Sequence, residues 1–405
     1  MINTWEEPNH AAPGAAYGEL QPLLPEDVTT LVDDSRLLFE RGIANWRTVR
    51  VPNRNAASTI TEASPAAYLS LIDACLVWSR EDASSALYAN VVVDSGSSVY
   101  PYNLTYTNTH DPLTVIFAER VSTGRLVAAI ETTDSPQHQI WTSDDGGEEW
   151  TMDAQAGARI TKPAVMPGGT ADKVILFGFG NQFTVFDTAA TVIAVTGNAI
   201  DGGAHNHNGT VLLVGEVNGK RSSDFGVTWN DWVVQSPSGT NITDVTLVDI
   251  AYDQKRTEFV IVRRAKLSGV DRLFYATSGD GDTWSPWRLL PSVVTTTYSW
   301  ITLRVTPSGI WMLYYLRADP SGRIAFVCVS WSLDQGLTWR SARILTLPID
   351  KVPSQAFPTI VPATEGHGSY VVMSNPYDDL ALREDYELLI SGPLEPGLFT
   401  QSTIP

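Results

Sequence analysis

The chain has 405 residues, with 27 Lys and Arg against 45 Asp and Glu and a formal charge of −18. A surface that gathers phosphates needs a local basic patch, and no stretch supplies one, so nucleic acid is excluded as an expected partner. With 43% apolar and 18% charged residues, the composition is neither disordered nor coiled-coil-like, and the length suits one large all-β domain or two medium ones.

Residues 1–7 hold no basic segment followed by an apolar one, so no secretory leader is expected. No uninterrupted apolar run reaches the roughly 18 residues of a membrane span, so the chain is expected to be soluble. The first 25 residues, rich in Pro, Ala, Gly and Glu, read as an extended arm. A helix is then expected from Pro25 to Gly42. Pro25 suits a first turn, Glu26 and Asp27 sit where the helix dipole favours acids, and Val28, Leu31, Val32, Leu38 and Phe39 share a face. Residues 1–42 therefore form a separate arm and helix, read either as an attachment or oligomerisation element or as a cover on the main domain.

From residue 43 onward the chain is a series of short apolar runs broken by Gly, Asp, Asn, Ser or Pro, such as 113–118, 126–130, 174–177, 211–214, 259–262, 310–315 and 324–329. Each has strand length, and no later segment carries the period of a core helix, so antiparallel sheet is expected throughout. Cys75 and Cys328 each fall in such a run and share no metal-ligand spacing, which predicts two buried thiols.

A repeated turn organises these runs. Residues 222–229 (SSDFGVTW) and 332–339 (SLDQGLTW) contain Ser222, Asp224, Gly226, Thr228 and Trp229, and Ser332, Asp334, Gly336, Thr338 and Trp339, at the same spacing. Residues 143–150 keep Ser143, Asp145, Gly147 and Trp150, with Glu149 in the Thr position. Residues 277–284 keep Gly281, Thr283 and Trp284, with the acid displaced by one place. Ser and Asp two residues apart can bond the loop's own backbone, Gly admits a positive φ, and Trp packs at the start of the next strand. These aspartates are accordingly read as structural, and no metal or other cofactor is expected.

This motif resembles the Asp-box, or bacterial neuraminidase repeat, of sialidase-like β-propellers. The resemblance implies a turn between the third and fourth strands of a blade, in enzymes and non-enzymes alike. The boxes begin at 143, 222, 277 and 332, and a four-stranded blade fits such a period. A seven-bladed propeller over 43–405 is the preferred count and six the alternative. Residues 46–51 are a strand candidate that could complete the last blade and leave no open edge.

The resemblance also implies what a sialidase would need: an arginine triad, a Tyr–Glu nucleophile pair and an acid/base Asp. The chain departs from that pattern, since residues 159–163 (RITKP) come too late to be the first triad segment. Arg263, Arg304 and Arg317 are read as solvated or inter-blade salt-bridge residues. Asp111, Glu119 and Glu131 are the acids available to a glycosidase, but a catalytic pair needs a separation that spacing does not give. His205 and His207 are read as part of a polar loop, with a metal site as the alternative. The sequons at Asn103 and Asn241 read as chance matches. Trp287, Tyr298 and Trp300 lie in aromatic-rich segments expected to be loops, and are the candidate ligand-binding residues. The reading as a whole is a non-enzymatic structural or binding propeller, a tail or capsid-associated virion component of a tailed bacteriophage. Its expected partners are other assembly proteins, a glycan or a second copy of itself. A sialidase-like glycoside hydrolase and a cellular carbohydrate- or protein-interaction module are the alternatives.

Overall fold

The computed structural model describes 29 strands between Arg47 and Ile390, with the turns at residues 71, 123–124, 144–150, 206, 208–210, 216–217, 223–229, 234–241, 254–257, 268–269, 279–287, 290, 306, 309–310 and 333–340. The expected helix at 25–42 lies outside the described residues.

The strands form seven antiparallel sheets among the described residues. The first holds β2 (Ile60–Ala63), β3 (Ala67–Leu69), β4 (Ala74–Glu81), β5 (Leu87–Val93) and β6 (Ser98–Tyr102). Here β2 and β3 occupy successive stretches of one edge of β4. The second runs β7 (Pro112–Arg120), β8 (Arg125–Thr132), β9 (His138–Ser143), β10 (Thr151–Gln155), and the third β11 (Ile160–Met166), β12 (Lys173–Gly178), β13 (Gln182–Phe186), β14 (Ala190–Ala194). The fourth contains β15 (Ile200–His205), β16 (Val211–Gly215), β17 (Asn218–Ser222) and β18 (Asn230–Val233). The fifth contains β19 (Ile242–Asp253), β20 (Glu258–Leu267), β21 (Val270–Ser278) and β22 (Arg288–Leu289). The sixth contains β23 (Tyr298–Val305), β24 (Trp311–Ala318), β25 (Ala325–Ser332) and β26 (Arg343–Ile344). In the seventh, β27 (Thr359–Pro362), β28 (Ser369–Ser374) and β29 (Asp385–Ile390) are joined by β1 (Arg47–Pro52), so the start and the end of the described chain share a sheet. Register runs from Arg47 opposite Ile390 to Pro52 opposite Asp385.

First strands pack on one another from sheet to sheet: β3 on β7, β7 on β11, β11 on β15, β15 on β19 and β19 on β23, and β27 meets β3. Sheets built as sequential meanders, arranged around their first strands and joined from last to first, make an all-β propeller. Second strands such as β16 and β20 are covered on both faces, which is why they read as unbroken apolar runs and not as alternation. All five residues of β16 are buried, and so are Phe259 to Arg263 in β20. Between the fourth and fifth sheets lie Leu212, Val214, Val248, Phe259 and Ile261, and between the fifth and sixth Val260, Leu273, Trp311 and Leu313. Both cysteines are fully buried and outside any disulfide, on β4 and β25, and burial pushes the Cys75 thiol up to about 12.

Inner strands are cross-tied by side chains. Asp249 on β19 accepts from its neighbour Ile250 N (2.9 Å) and from Leu303 N on β23 (2.8 Å). It sits against Gly202 of β15, where a Cβ would overlap its Oδ1. Gly202→Ala should displace this carboxylate, strand the Leu303 N–H and cost about 1–3 kcal/mol. Urea unfolding would register that as a lower midpoint at an unchanged slope.

Candidate functional site

Each of the four repeated turns joins the third strand of its sheet to the fourth: β9 to β10, β17 to β18, β21 to β22 and β25 to β26. In residues 222–229, Ser222 Oγ donates to Asp224 Oδ1 (2.7 Å) and accepts from Gly226 N (2.7 Å). The same carboxylate accepts from Thr228 N (2.9 Å) and Thr228 Oγ1 (2.6 Å). Residues 332–339 repeat the set: Ser332 Oγ to Asp334 (2.8 Å), Gly336 N to Ser332 Oγ (2.6 Å), and Thr338 N (2.8 Å) and Oγ1 (2.5 Å) to Asp334. At 143–150 the Thr hydroxyl is lost with Glu149, but the backbone bonds remain. Asp145 takes Ser143 Oγ (2.6 Å), Glu148 N (3.0 Å) and Glu149 N (3.1 Å), and Gly147 N donates to Ser143 Oγ (2.8 Å).

The third turn corrects the alignment made from sequence. Its acid is not shifted. Ser278 Oγ donates to Asp280 (2.9 Å), which accepts from Asp282 N and Thr283 N (2.8 Å each), while Gly281 N donates to Ser278 Oγ (2.8 Å). The pair is Ser278 and Asp280, and the loop is one residue shorter between acid and glycine. In the other loops that extra residue is left-handed: Gly146 (φ 78°), Phe225 (φ 58°) and Gln335 (φ 58°) each precede a left-handed glycine. A side chain in that region costs roughly 1–2 kcal/mol. Shortening removes the strained position and keeps only Gly281 (φ 79°). Tertiary need for glycine is clearest at Gly336, whose added Cβ would overlap the Trp311 ring.

The four tryptophans differ in fate. Trp150 is buried, and its indole donates to Gly147 O (2.9 Å). Trp229 is half-buried, donates to Gly226 O (3.0 Å) and meets Phe183 of the third sheet edge-on at 5.0 Å. Around the last turn, the Gly336 carbonyl is taken instead by Tyr275 Oη from the fifth sheet (2.5 Å), and the buried Trp339 packs on Tyr275 and Trp311. Trp284 is half-buried and stacks on Trp232 of β18 with centroids 6.0 Å apart and planes 21° from parallel.

Charge in the box carboxylates follows from these bonds. The Ser143 hydroxyl and then the Glu149 N–H hold Asp145 below the usual carboxylate range. For Asp224 burial pushes upward, but the Thr228 hydroxyl and N–H with the Ser222 hydroxyl outweigh it and bring the group to about 2. Asp280 is held at about 2 by the N–H groups of Thr283 and Asp282. At Asp334 the upward push of burial is likewise outweighed by Thr338 and Ser332.

Charged strand residues named from sequence are also engaged. Glu119 accepts from Leu71 N of the first sheet (2.9 Å). Arg263 is neither solvated nor salt-bridged as expected. It is fully buried and donates to Gln235 O (2.9 Å), Ser236 Oγ (2.5 Å) and Glu216 O, all in the fourth sheet or the segment that follows it. Burial lowers its guanidinium to about 10, against the pull of Glu216 and Asp201. Arg304 lies 3.8 Å from Asp249 and donates to Leu303 O (2.9 Å). Arg317 stands opposite Tyr298 and Phe326 in register. Sequence reading missed Asp249 and Asp253. Asp253 is buried, accepting from Trp311 Nε1 (2.6 Å), Lys255 N (3.0 Å) and Arg256 N (3.1 Å). Nothing in one sequence separates such an acid from a solvated one at a strand end.

Tyr298 and Trp300 stand in β23, not in the loop expected for them, because the strand begins at Tyr298. Trp287 is half-buried against the core between the fourth and fifth sheets. His205 ends β15, and Asn206 turns the chain by accepting from Asn208 N (2.9 Å) and Thr210 N (3.0 Å). Among the described residues no three His, Cys, Asp or Glu side chains gather as a metal site. Glu131 lies in β8, while Asp111, His207 and the sequon residue Asn103 lie outside the described residues.

No family model and no curated protein matches the chain. Among solved structures it is similar to YCF48 bound to D1 peptide, at 13% identity and a TM-score of 0.48 over 86% of this chain and 95% of that one. It is also similar to an alpha-L-arabinanase of Penicillium chrysogenum complexed with arabinobiose, at 13% identity and 0.45 over 85% and 96%. A third is the alpha-L-arabinofuranosidase Arb93A of Fusarium graminearum with an iminosugar inhibitor, at 15% and 0.36 over 67% and 76%.

Asp224→Ala, Asp280→Ala and Asp334→Ala should each lower stability by about 1–3 kcal/mol, since several loop bonds lose one acceptor. Trp339→Ala should cost more, about 3–5 kcal/mol, by opening a cavity. Thermal melts of the four variants check the order. Because the box carboxylates are depressed in the folded chain, their contribution is complete above the unfolded value near 4 and is lost as pH falls toward about 2. Melting temperature should therefore hold above about pH 5 and fall between about 4 and 2, less steeply in Asp224→Ala, as followed by circular dichroism.

Proposed function

We propose that this chain is a non-catalytic propeller that serves as a structural or binding part of a larger assembly. The observation that carries the reading is the engagement by backbone of charged side chains on its first and second strands. Both Asp249 oxygens accept main-chain N–H groups, Glu119 accepts Leu71 N–H, and Arg263 is spent on carbonyls of the adjoining sheet. An acid/base carboxylate must exchange protons with substrate or water, whereas these groups fasten one sheet to the next. The repeated turns support the sialidase-like likeness of the scaffold, and their carboxylates are bonded inward to their own loops.

The setting in a tailed-phage virion belongs to the same proposal. It is supported by sequence cues alone: an acidic all-β module, two isolated cysteines and an N-terminal arm suited to docking. Purified chain should release no product from sialosides or from neutral oligosaccharides in an end-point assay by mass spectrometry. Turnover that disappears on Glu119→Gln or Asp249→Asn, with the fold intact by circular dichroism, would replace this reading with the glycosidase one.

A further inference from the structure

The third turn leaves its tryptophan in a different state from those of the first two. The Trp150 and Trp229 indoles are held by a glycine carbonyl of their own loop, whereas Trp284 Nε1, like that of the buried Trp339, has no hydrogen-bond partner, and the half-buried Trp284 ring stacks across a sheet boundary on Trp232. Trp232, Trp284 and Trp287 all pack on the same buried cluster, and each keeps part of its surface in solvent.

Strand register defines what surrounds them. On β17 and β18, Gly219 stands opposite Trp232 and Arg221 opposite Asn230. The two-residue period puts all four on one face. A Cβ on Gly219 would come within 3.2 Å of the Trp232 ring, so the indole lies over a position that has no side chain. Arg221 reaches across the seam to Asp282 (2.7 Å) and to Asp280 O (3.2 Å). The side chains of Arg221 and Asp282 are 28% and 53% exposed, and Asn230 is exposed beside them. The seam thus offers aromatic surface bordered by a carboxylate, a guanidinium and an amide.

We propose that this seam between the fourth and fifth sheets binds a neutral oligosaccharide. The apolar C–H face of a sugar ring suits an indole face, and neighbouring hydroxyls suit planar groups that can make paired hydrogen bonds. A neutral ligand is favoured over an acidic one because the carboxylate of Asp282 borders the rings and the whole chain carries −18. The site deepens the non-catalytic reading above and rests on it.

The test uses the full chain and neutral hexasaccharides of β-1,4-linked glucose, xylose, mannose and N-acetylglucosamine and of α-1,4-linked glucose, with an acidic sialylated hexasaccharide alongside. Binding is read by titration calorimetry and tryptophan fluorescence. At least one neutral member should bind with a Kd below about 1 mM. Trp287→Ala and Asn230→Ala should each weaken it by about tenfold or more with unchanged melting. Should Trp287→Ala melt early, Asn230→Ala and Trp287→Phe carry the comparison. The proposal is overturned if no neutral member reaches that affinity, if the variants bind as tightly as the parent, or if the acidic probe binds more tightly. Cleavage of a bound oligosaccharide would overturn the non-catalytic reading while leaving the binding site standing.

Discussion

Neighbouring sheets of a propeller share no ladder of backbone hydrogen bonds, so the ring depends on what crosses each seam. Here the crossing groups are side chains that reach a neighbour's main chain. Glu119 takes an N–H of the first sheet, and Arg263 takes carbonyls around the fourth. Asp249 takes the Leu303 N–H, and Tyr275 the Gly336 carbonyl, of the sixth. Bonds of this kind have a fixed direction and distance, which apolar packing alone lacks. They are sheltered by the clusters around Leu212, Val260 and Trp311, where a polar group left without a partner is costly. Apolar burial supplies the drive, and these bonds set the angle and register at which the sheets meet.

Much of this arrangement is legible in one sequence because its parts are local. A Ser, an Asp two residues on and a Gly two further on describe a turn that closes on itself, and Ser222–Trp229 and Ser332–Trp339 do so bond for bond. Unbroken apolar runs such as Val211–Val214 mark strands covered on both faces. The third turn was misread because a motif compared by position hides a deletion. Once one residue is removed, Ser278 and Asp280 recover the same bonds.

The candidate site was less legible, for a physical reason. Asp249, Asp253 and Arg263 act on residues 28 to 58 positions away, and their types look no different from those of solvated strand ends. Trp232 gives no sign in sequence that it meets Trp284, since the contact exists only after two sheets pack. The repeated turns and the aromatic seam also share a residue. Trp284 belongs to both, and its indole, like that of Trp339, lacks the bond to its own loop that Trp150 and Trp229 make.

The two buried thiols make the ring self-reporting. Cys75 lies in the first sheet and Cys328 in the sixth, both without solvent exposure. A thiol pushed up to about 12 is almost wholly protonated at neutral pH, and the thiolate is the form that reacts. Alkylation of Cys75 by a maleimide or a disulfide reagent therefore waits for the first sheet to open to water. Its rate against that of Cys328 times the opening of two separate parts of the ring, with no substitution introduced.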